Sequence, residues 1–177
     1  MKNKILVCGT ILILAAAPAL AADAVNPGGN EKYRAKEVSL DLFGSASVGQ
    51  QTINNITGLR VNRDLRLGAG IGMNYFLTRY LGVGAEAYSE NTAHSFVDST
   101  SASVIGRFPL GQSGVAPYVY GGGGRQCDPT SLWFAHAGAG LEYRFTPRIG
   151  AFVDARYVLT DGTANFGLGR LGLRFGF

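Results

Sequence analysis

The sequence of 177 residues contains little of the chemistry that metalloenzymes and nucleic-acid-binding proteins use. It has two histidines and two cysteines, and one of the cysteines, Cys8, lies in a segment that we expect to be removed. The remaining residues are too few and too scattered for a typical zinc site. Charged residues make up 16% of the chain, with both signs present and no run of either, which argues against a tail for nucleic acid. We therefore expect no metal, no other cofactor and no nucleic-acid partner.

The N-terminal apolar run is too short for a transmembrane helix. It extends from Ile5 to Ala17, about thirteen residues, whereas a spanning helix needs roughly twenty. Two lysines precede the run, and Ala19-Leu20-Ala21 follows it as an A-x-A cleavage site. Residues 1–21 are therefore predicted to be a secretory signal peptide that is cleaved near Ala21. The polar segment 22–36 predicts a flexible leader.

The chain is rich in glycine, with 26 residues, and its apolar residues alternate with small or polar ones. In the final eleven residues, the apolar face is formed by Leu171, Leu173, Phe175 and Phe177, and arginine and glycine alternate on the other face. A period of two indicates a β-strand, and about ten residues are enough for a tilted strand to cross a bilayer. Eight segments of this kind are predicted, over residues 38–48, 65–77, 81–88, 96–108, 115–124, 132–145, 149–157 and 167–177.

The connections between these segments alternate in length. Connections two, four and six are short turns, connection one is long, and the others are mostly of medium length. Short periplasmic turns and longer outer loops are typical of outer-membrane barrels. The pattern predicts an all-β fold, an eight-stranded antiparallel up-and-down transmembrane β-barrel over residues 37–177, with a periplasmic leader. A soluble barrel of the lipocalin type, with its faces inverted, is the alternative.

The two faces of the predicted strands have different compositions. The outward face is apolar and carries aromatic residues near its ends, which predicts an aromatic girdle of Tyr75, Trp133, Tyr143, Tyr157 and Phe175. The inward face carries glycine, serine and isolated charges. Side chains fill the interior of an eight-stranded barrel, and buried charges need partners. We therefore expect an ion-pair network that plugs the lumen, rather than an open pore. The predicted network consists of Asp41, Arg66, Glu86, Arg107, Glu142, Arg144, Asp154, Arg156, Arg170 and Arg174.

Several short segments resemble those of the small outer-membrane β-barrel family, which includes opacity-type surface proteins and the N-terminal barrel of outer-membrane protein A. The matching segments are 107–110, 116–118, 138–144, 155–157 and the terminal Phe177. The resemblance implies an integral protein of the outer membrane, in contact with its lipid. It also implies that the outer-membrane assembly machinery reads Phe177. Family members differ in task, from wall attachment and adhesion to surface protection and minor pores.

The leading prediction for function is a non-enzymatic outer-membrane protein with a structural or surface-exposed role. A minor porin-like channel is one alternative. A lipid-modifying enzyme that uses serine, histidine and a carboxylate is another, with His136 as the candidate base and His94-Ser95 in a loop. No serine lies near His136 at a suggestive spacing. The sequence does not identify an extracellular ligand.

Overall fold

A computed structural model of the chain describes residues 32–49, 52–53, 60–61, 65–90, 97–127, 132–161 and 165–177. These residues form β-strands whose lengths suit a tilted crossing of a bilayer in all but two cases. The strands are β1 (Glu37–Gly49), β2 (Thr52–Ile53), β3 (Arg60–Val61), β4 (Arg66–Phe76), β5 (Leu81–Ser89), β6 (Ser99–Arg107), β7 (Val115–Gln126), β8 (Leu132–Arg144), β9 (Ile149–Thr160) and β10 (Phe166–Gly176). No helix in these ranges is long and apolar enough to span a membrane.

Eight of these strands form a closed barrel in the order β1-β10-β9-β8-β7-β6-β5-β4, and the short β2 and β3 pair separately. Every neighbour is antiparallel. The first and last strands close the barrel, because β1 pairs with β10 on one side and with β4 on the other. The predicted eight-stranded up-and-down barrel is thus confirmed.

The predicted strand bounds agree with the structure to within three residues. The largest differences are at the end of β9, which continues to Thr160 instead of ending at Tyr157, and at the start of β6, which begins at Ser99 instead of residue 96. The carboxylate of Asp98 accepts hydrogen bonds from Ser89 Oγ at 3.2 Å and from the backbone N–H of Glu90 at 2.5 Å. The backbone N–H of Asp98 also donates to the carbonyl of Tyr88 at 3.1 Å, so that Asp98 holds the β5–β6 connection where β6 begins.

The barrel has two different ends. At one end lie residues 32–36, the connections 77–80, 108–114 and 145–148, and Phe177, whose backbone N–H donates to the carbonyl of Val38 at 2.8 Å. We call this the turn end. The opposite end, which we call the loop end, carries the connections between β1 and β4, β5 and β6, β7 and β8, and β9 and β10.

The apolar face lies on the outside of the barrel. Large hydrophobic side chains on this face are about half exposed, for example Leu67 at 63%, Val104 at 57%, Val153 at 52% and Leu171 at 66%. The rows that contain arginine, serine and glycine face inward, as the sequence predicts. Strand β7 turns Tyr118 and Tyr120 into the lumen.

The predicted signal peptide 1–21 and leader residues 22–31 lie outside the described residues. Residues 32–36 were expected to be flexible, and the structure corrects this for Tyr33, which is only 3% exposed and packs into the turn end of the barrel. Lys36 has a φ of 56°, a left-handed conformation that is uncommon for non-glycine residues. This conformation occurs where the leader joins β1.

Candidate functional site: the charged lumen

The lumen contains five arginines and five carboxylates, which are joined by ion pairs of 4 Å or less. They come from six of the eight barrel strands, because the inward positions of β-strands recur at every second residue. The charges balance, so the interior is formally neutral. The arginines are Arg107, Arg144, Arg156, Arg170 and Arg174, and the carboxylates are Glu37, Asp41, Glu86, Glu142 and Asp154.

Four of these residues form what we call the turn-end cluster: Glu37, Arg107, Glu142 and Arg144. All four side chains are fully buried. Oε1 of Glu37 lies 3.2 Å from Nη1 of Arg107 and 2.5 Å from Nη2 of Arg144. Arg144 Nε also donates to Glu142, whose other oxygen lies 3.9 Å from Arg107. Two carboxylates and two guanidiniums thus compensate one another where no water reaches them.

Arg174 extends this cluster toward the middle of the barrel. Its Nη1 contacts Glu142 Oε2 at 2.5 Å, and its Nε and Nη2 each donate to one oxygen of Asp41 at 2.7 Å. The second contact is bidentate, the geometry in which a guanidinium binds a carboxylate most strongly. Asn74 adds a hydrogen bond to Asp41 at 2.9 Å.

A second group, which we call the central cluster, contains Glu86, Asp154, Arg156 and Arg170. Arg170 binds Asp154 in a bidentate manner, with both N–O distances at 2.8 Å. Its Nη1 also contacts Glu86, to which Arg156 donates from the other side. Two tyrosine hydroxyls donate to Asp154 as well, from Tyr118 at 2.5 Å and from Tyr120 at 2.9 Å.

Aromatic rings fill the space around the guanidiniums. Arg107 lies 3.6 Å from the ring centre of Phe76, and Arg174 lies 5.1 Å from that of Phe152. Such cation–π contacts stabilise a cation that has lost its water. Between the two clusters, a cavity of about 20 Å³ is lined by side chains that include Asp41, Glu86 and Tyr118. This volume is enough for about one water molecule.

The structure brings nine of the ten predicted network residues together and leaves one outside. Arg66 is exposed at the loop end, which corrects the prediction that it belongs to the lumen network. Arg66 lies on the inward face of the strand by its spacing. It is, however, the first residue of β4 and lies beyond the packed interior. Nearby, burial raises the pKa of the Glu90 carboxyl, and Arg66 opposes that shift. Arg66 therefore acts on a rim carboxylate and not on the lumen.

Sequence reasoning missed Glu37 and the lumenal tyrosines. Glu37 was placed at the boundary of the leader. It is two residues before Ser39 and four before Asp41, and this spacing puts it on the same inward face of β1. Tyr118 was ambiguous because both faces of β7 contain apolar residues. Tyr33 could not be found by periodicity, because it lies outside any strand.

Tyr33 closes the turn end of the lumen. Its ring centre lies 4.7 Å from the guanidinium of Arg107 and 5.5 Å from that of Arg144. Its hydroxyl donates to the carbonyl of Gly114 at 2.6 Å. Burial raises the pKa of this hydroxyl, so that it remains a protonated donor. Leader residues 32–36 are thereby attached to the barrel.

We expect Tyr33→Ala to release the leader from the turn end. Trypsin should then cleave after Arg34 and Lys36 more than about tenfold faster, because cleavage follows the population of the open form. Tyr33→Phe keeps the ring and loses one hydrogen bond of about 1 kcal/mol, so about a fivefold acceleration is expected. Tyr80→Ala is the matched control, because Tyr80 is an exposed aromatic residue at the same end. Equal cleavage rates in all four proteins would show that Tyr33 does not hold the leader.

His136 has a serine partner that the sequence did not reveal. Ser103 Oγ lies 2.9 Å from His136 Nε2, although the two residues are 33 positions apart. They meet because Gly122 of β7 pairs with Ser103 on one side and with His136 on the other. The other ring nitrogen, Nδ1, has no hydrogen-bond partner among the described residues. A triad needs an acid to orient its base, and no such acid contacts His136 there. His94-Ser95 lies outside the described residues.

The predicted girdle residues lie on the outer face at both ends. Tyr143 is 43% exposed near the turn end, where Tyr75 and Phe175 are partly exposed. Trp133 and Tyr157 lie toward the loop end, at 65% and 43% exposure. Phe177 is 68% exposed at the turn end.

No family model and no curated protein matches the chain. Solved structures do match it. The chain is similar to the N-terminal β-barrel domain of OprF from Pseudomonas aeruginosa, with 21% identity and a TM-score of 0.61 over 81% of this chain and 99% of that one. It is similar to Neisserial surface protein A, with 16% identity and a TM-score of 0.58 over 79% and 97% of the two chains. It is also similar to Ail, the attachment invasion locus protein of Yersinia pestis, with 16% identity and a TM-score of 0.57 over 81% and 99%. The likeness establishes a shared fold, that of small outer-membrane β-barrels.

Proposed function

We propose that the chain is an integral outer-membrane protein without catalytic activity, with a structural or surface-exposed role and a lumen closed by its ion pairs. The observation that carries this proposal is the inverted arrangement of the barrel. Large apolar side chains cover the outside, while ten charged side chains are paired inside. An exposed apolar surface of this extent is unfavourable in water, whereas it is favourable against the hydrocarbon of a bilayer. Outer-membrane lipid is therefore the proposed partner of the outer face.

The aromatic residues support the same placement. Tyr143, Trp133 and Tyr157 lie near the two ends of the apolar surface, where membrane barrels carry their girdles. The longest connection, between β1 and β4, lies at the loop end, and membrane barrels carry their long loops outside. This supports a loop end outside the cell and a turn end in the periplasm. Phe177 is then the residue that we propose the assembly machinery recognises during biogenesis. The names of two similar proteins, a surface protein and an attachment protein, support a surface-exposed role.

Closure of the lumen is supported by the layers of side chains that fill it along the barrel axis. Tyr33, the turn-end cluster, the ring of Phe152 and the central cluster follow one another from the turn end inward. An ion that passed through would have to separate two bidentate pairs, Arg174 with Asp41 and Arg170 with Asp154, in a region of low dielectric constant, which is costly. The cavity between the two clusters holds about one water molecule.

We expect no steady large conductance when the folded protein is inserted into planar bilayers. The double variant Tyr118→Ala/Tyr120→Ala should also remain closed, because the ion pairs of both charged clusters are made without the two tyrosines. An open porin inserted under the same conditions is the positive control. Steady openings of the unmodified protein would favour the minor porin-like channel instead.

A lipid-modifying activity is the second candidate, and the contact between Ser103 and His136 is the observation that favours it. His136 is 4% exposed inside the lumen, separated from outer-membrane lipid by the barrel wall. Mass spectra of lipid A from cells with the protein, without it, and with His136→Ala test this candidate. An acyl pattern that changes with the protein and reverts in the variant would establish the enzyme.

A further inference from the structure

The turn end carries a ring of basic side chains that the lumen network does not use. We call this ring the basic collar, and it consists of Lys32, Arg34, Lys36, Arg79 and Arg148. Lys36 and Arg148 are exposed, and the other three are partly exposed. Among the described residues at this end, the acidic side chains are Glu37 and Glu142, and both are fully buried in the turn-end cluster, where Arg107 and Arg144 pair with them. The collar therefore presents uncompensated positive charge.

The loop end has no such excess of basic residues. Its described residues include the basic Arg60, Arg66 and Arg125 and the acidic Glu90, Asp98 and Asp161, three of each sign. The lumen contributes no net charge, since its five arginines face five carboxylates. The weakly positive net charge of the chain therefore conceals an asymmetry along the barrel axis, with the excess of cations at the turn end.

Two collar cations lie directly against aromatic rings of the outer face. Lys32 Nζ is 5.7 Å from the ring centre of Tyr143, and the guanidinium of Arg79 is 5.2 Å from that of Tyr80. Tyr143 packs edge-to-face on Phe145, with the ring centres 5.2 Å apart. Aromatic residues of this kind sit at the depth of the lipid headgroups. In the proposed placement, Lys32 and Arg79 therefore lie at the depth of the lipid phosphates.

We propose that the basic collar binds the phosphate groups of anionic phospholipids in the leaflet that faces the periplasm. This inference rests on the proposed placement of the barrel in the outer membrane. Lysine offers a point charge to a phosphate, and arginine offers paired N–H donors. Basic side chains beside a membrane attract anionic lipid within about a Debye length, and the rings of Tyr143 and Tyr80 hold two of them at that distance.

The test measures lipid preference at the barrel surface by electron paramagnetic resonance. The mature chain is folded into phosphatidylcholine bilayers that contain spin-labelled phosphatidylglycerol or spin-labelled phosphatidylcholine. We expect a several-fold preference for phosphatidylglycerol that disappears at about 1 M salt, where the Debye length is about 3 Å. In Arg79→Gln/Arg148→Gln, the preference should fall by at least about twofold. The matched control is Arg66→Gln/Arg125→Gln, which removes the same charge from the loop end and should keep the preference.

The possible outcomes distinguish a failure of the collar proposal from a failure of the proposed function. If the chain inserts but associates equally with both lipids, or if the two double variants lose preference equally, the collar proposal is overturned and the barrel stands. If the chain does not insert into bilayers of either composition, the proposed function itself fails. Co-sedimentation with purified cell-wall sacculi, lost in Arg79→Gln/Arg148→Gln, together with equal lipid association, would assign the collar to an anionic wall polymer and overturn the lipid proposal.

Discussion

Replacing Gly122 with alanine is expected to strain the pairing of β6 with β7 and to destabilise the barrel. Gly122 faces inward, and a Cβ there would lie 2.8 Å from the Cα of Ser103 and closer still to the carbonyl oxygen of Ala102. Both obstacles are backbone atoms of the neighbouring strand. Neither can move without breaking the pairing of β6 with β7. We expect the free energy of unfolding to fall by about 3 kcal/mol, at the upper end of the usual overpacking cost.

Gly121 is a matched control for this substitution. It is the preceding residue of the same strand and faces outward, and a Cβ there would meet only the carbonyl oxygen of His136 at 3.5 Å. Gly121→Ala should therefore fold like the unmodified protein. The folded fraction follows from the electrophoretic mobility of unheated and boiled samples, and the free energy follows from urea titration. Similar stability of the two variants would mean that β6 can shift to accommodate the added Cβ. The close approach of β6 to Gly122 would then not be needed for the stability of the barrel.

The alternation of residue types was sufficient to predict the barrel itself. Period two defined the eight long strands, and the alternation of short and long connections predicted their up-and-down order. The alternation also placed nine charged residues inside. The face on which a residue lies follows from its place along the strand, whichever residue it pairs with. The alternation failed at Arg66, where the strand continues past the packed interior. Glu37 was missed for another reason, because β1 begins one residue earlier than expected.

The pairing of the charges could not be predicted in the same way. Arg174 and Asp41 are 133 positions apart, and Arg170 and Glu86 are 84 apart. These contacts depend on barrel closure and on the length and direction of each side chain across the lumen. Ser103 and His136 meet for the same reason, through a strand that carries glycine between them. Tyr33 shows a further limit, since a single aromatic residue in a leader has no periodicity to mark its burial.

Glutamine in place of Glu142 is expected to destabilise the barrel by about 3–5 kcal/mol, the usual cost of removing one partner of a buried ion pair. Glu142 is fully buried and interacts with Arg107, Arg144 and Arg174. Glutamine has nearly the same shape, so the change removes charge and not volume. The three arginines would then share only Glu37 and Asp41, which leaves one buried positive charge without compensation.

The single tryptophan provides the measurement. Trp133 is 65% exposed on the outer face, so its fluorescence reports the transfer of that face from lipid to water during urea unfolding. The free energy of unfolding follows by linear extrapolation. The control is Asp161→Asn, at an exposed position of the loop end. This substitution should leave the free energy of unfolding unchanged.

A second substitution distinguishes charge imbalance from a general loss of packing. Glu142→Gln combined with Arg144→Gln restores the balance, because Arg107 and Arg174 then face Glu37 and Asp41. We expect the double variant to be more stable than the sum of the single effects predicts, by about 1–3 kcal/mol. Strictly additive effects, or a loss of less than about 1 kcal/mol in Glu142→Gln, would mean that water reaches these charges. The lumen would then be hydrated at its turn end, and the closed state proposed for this barrel would need another cause.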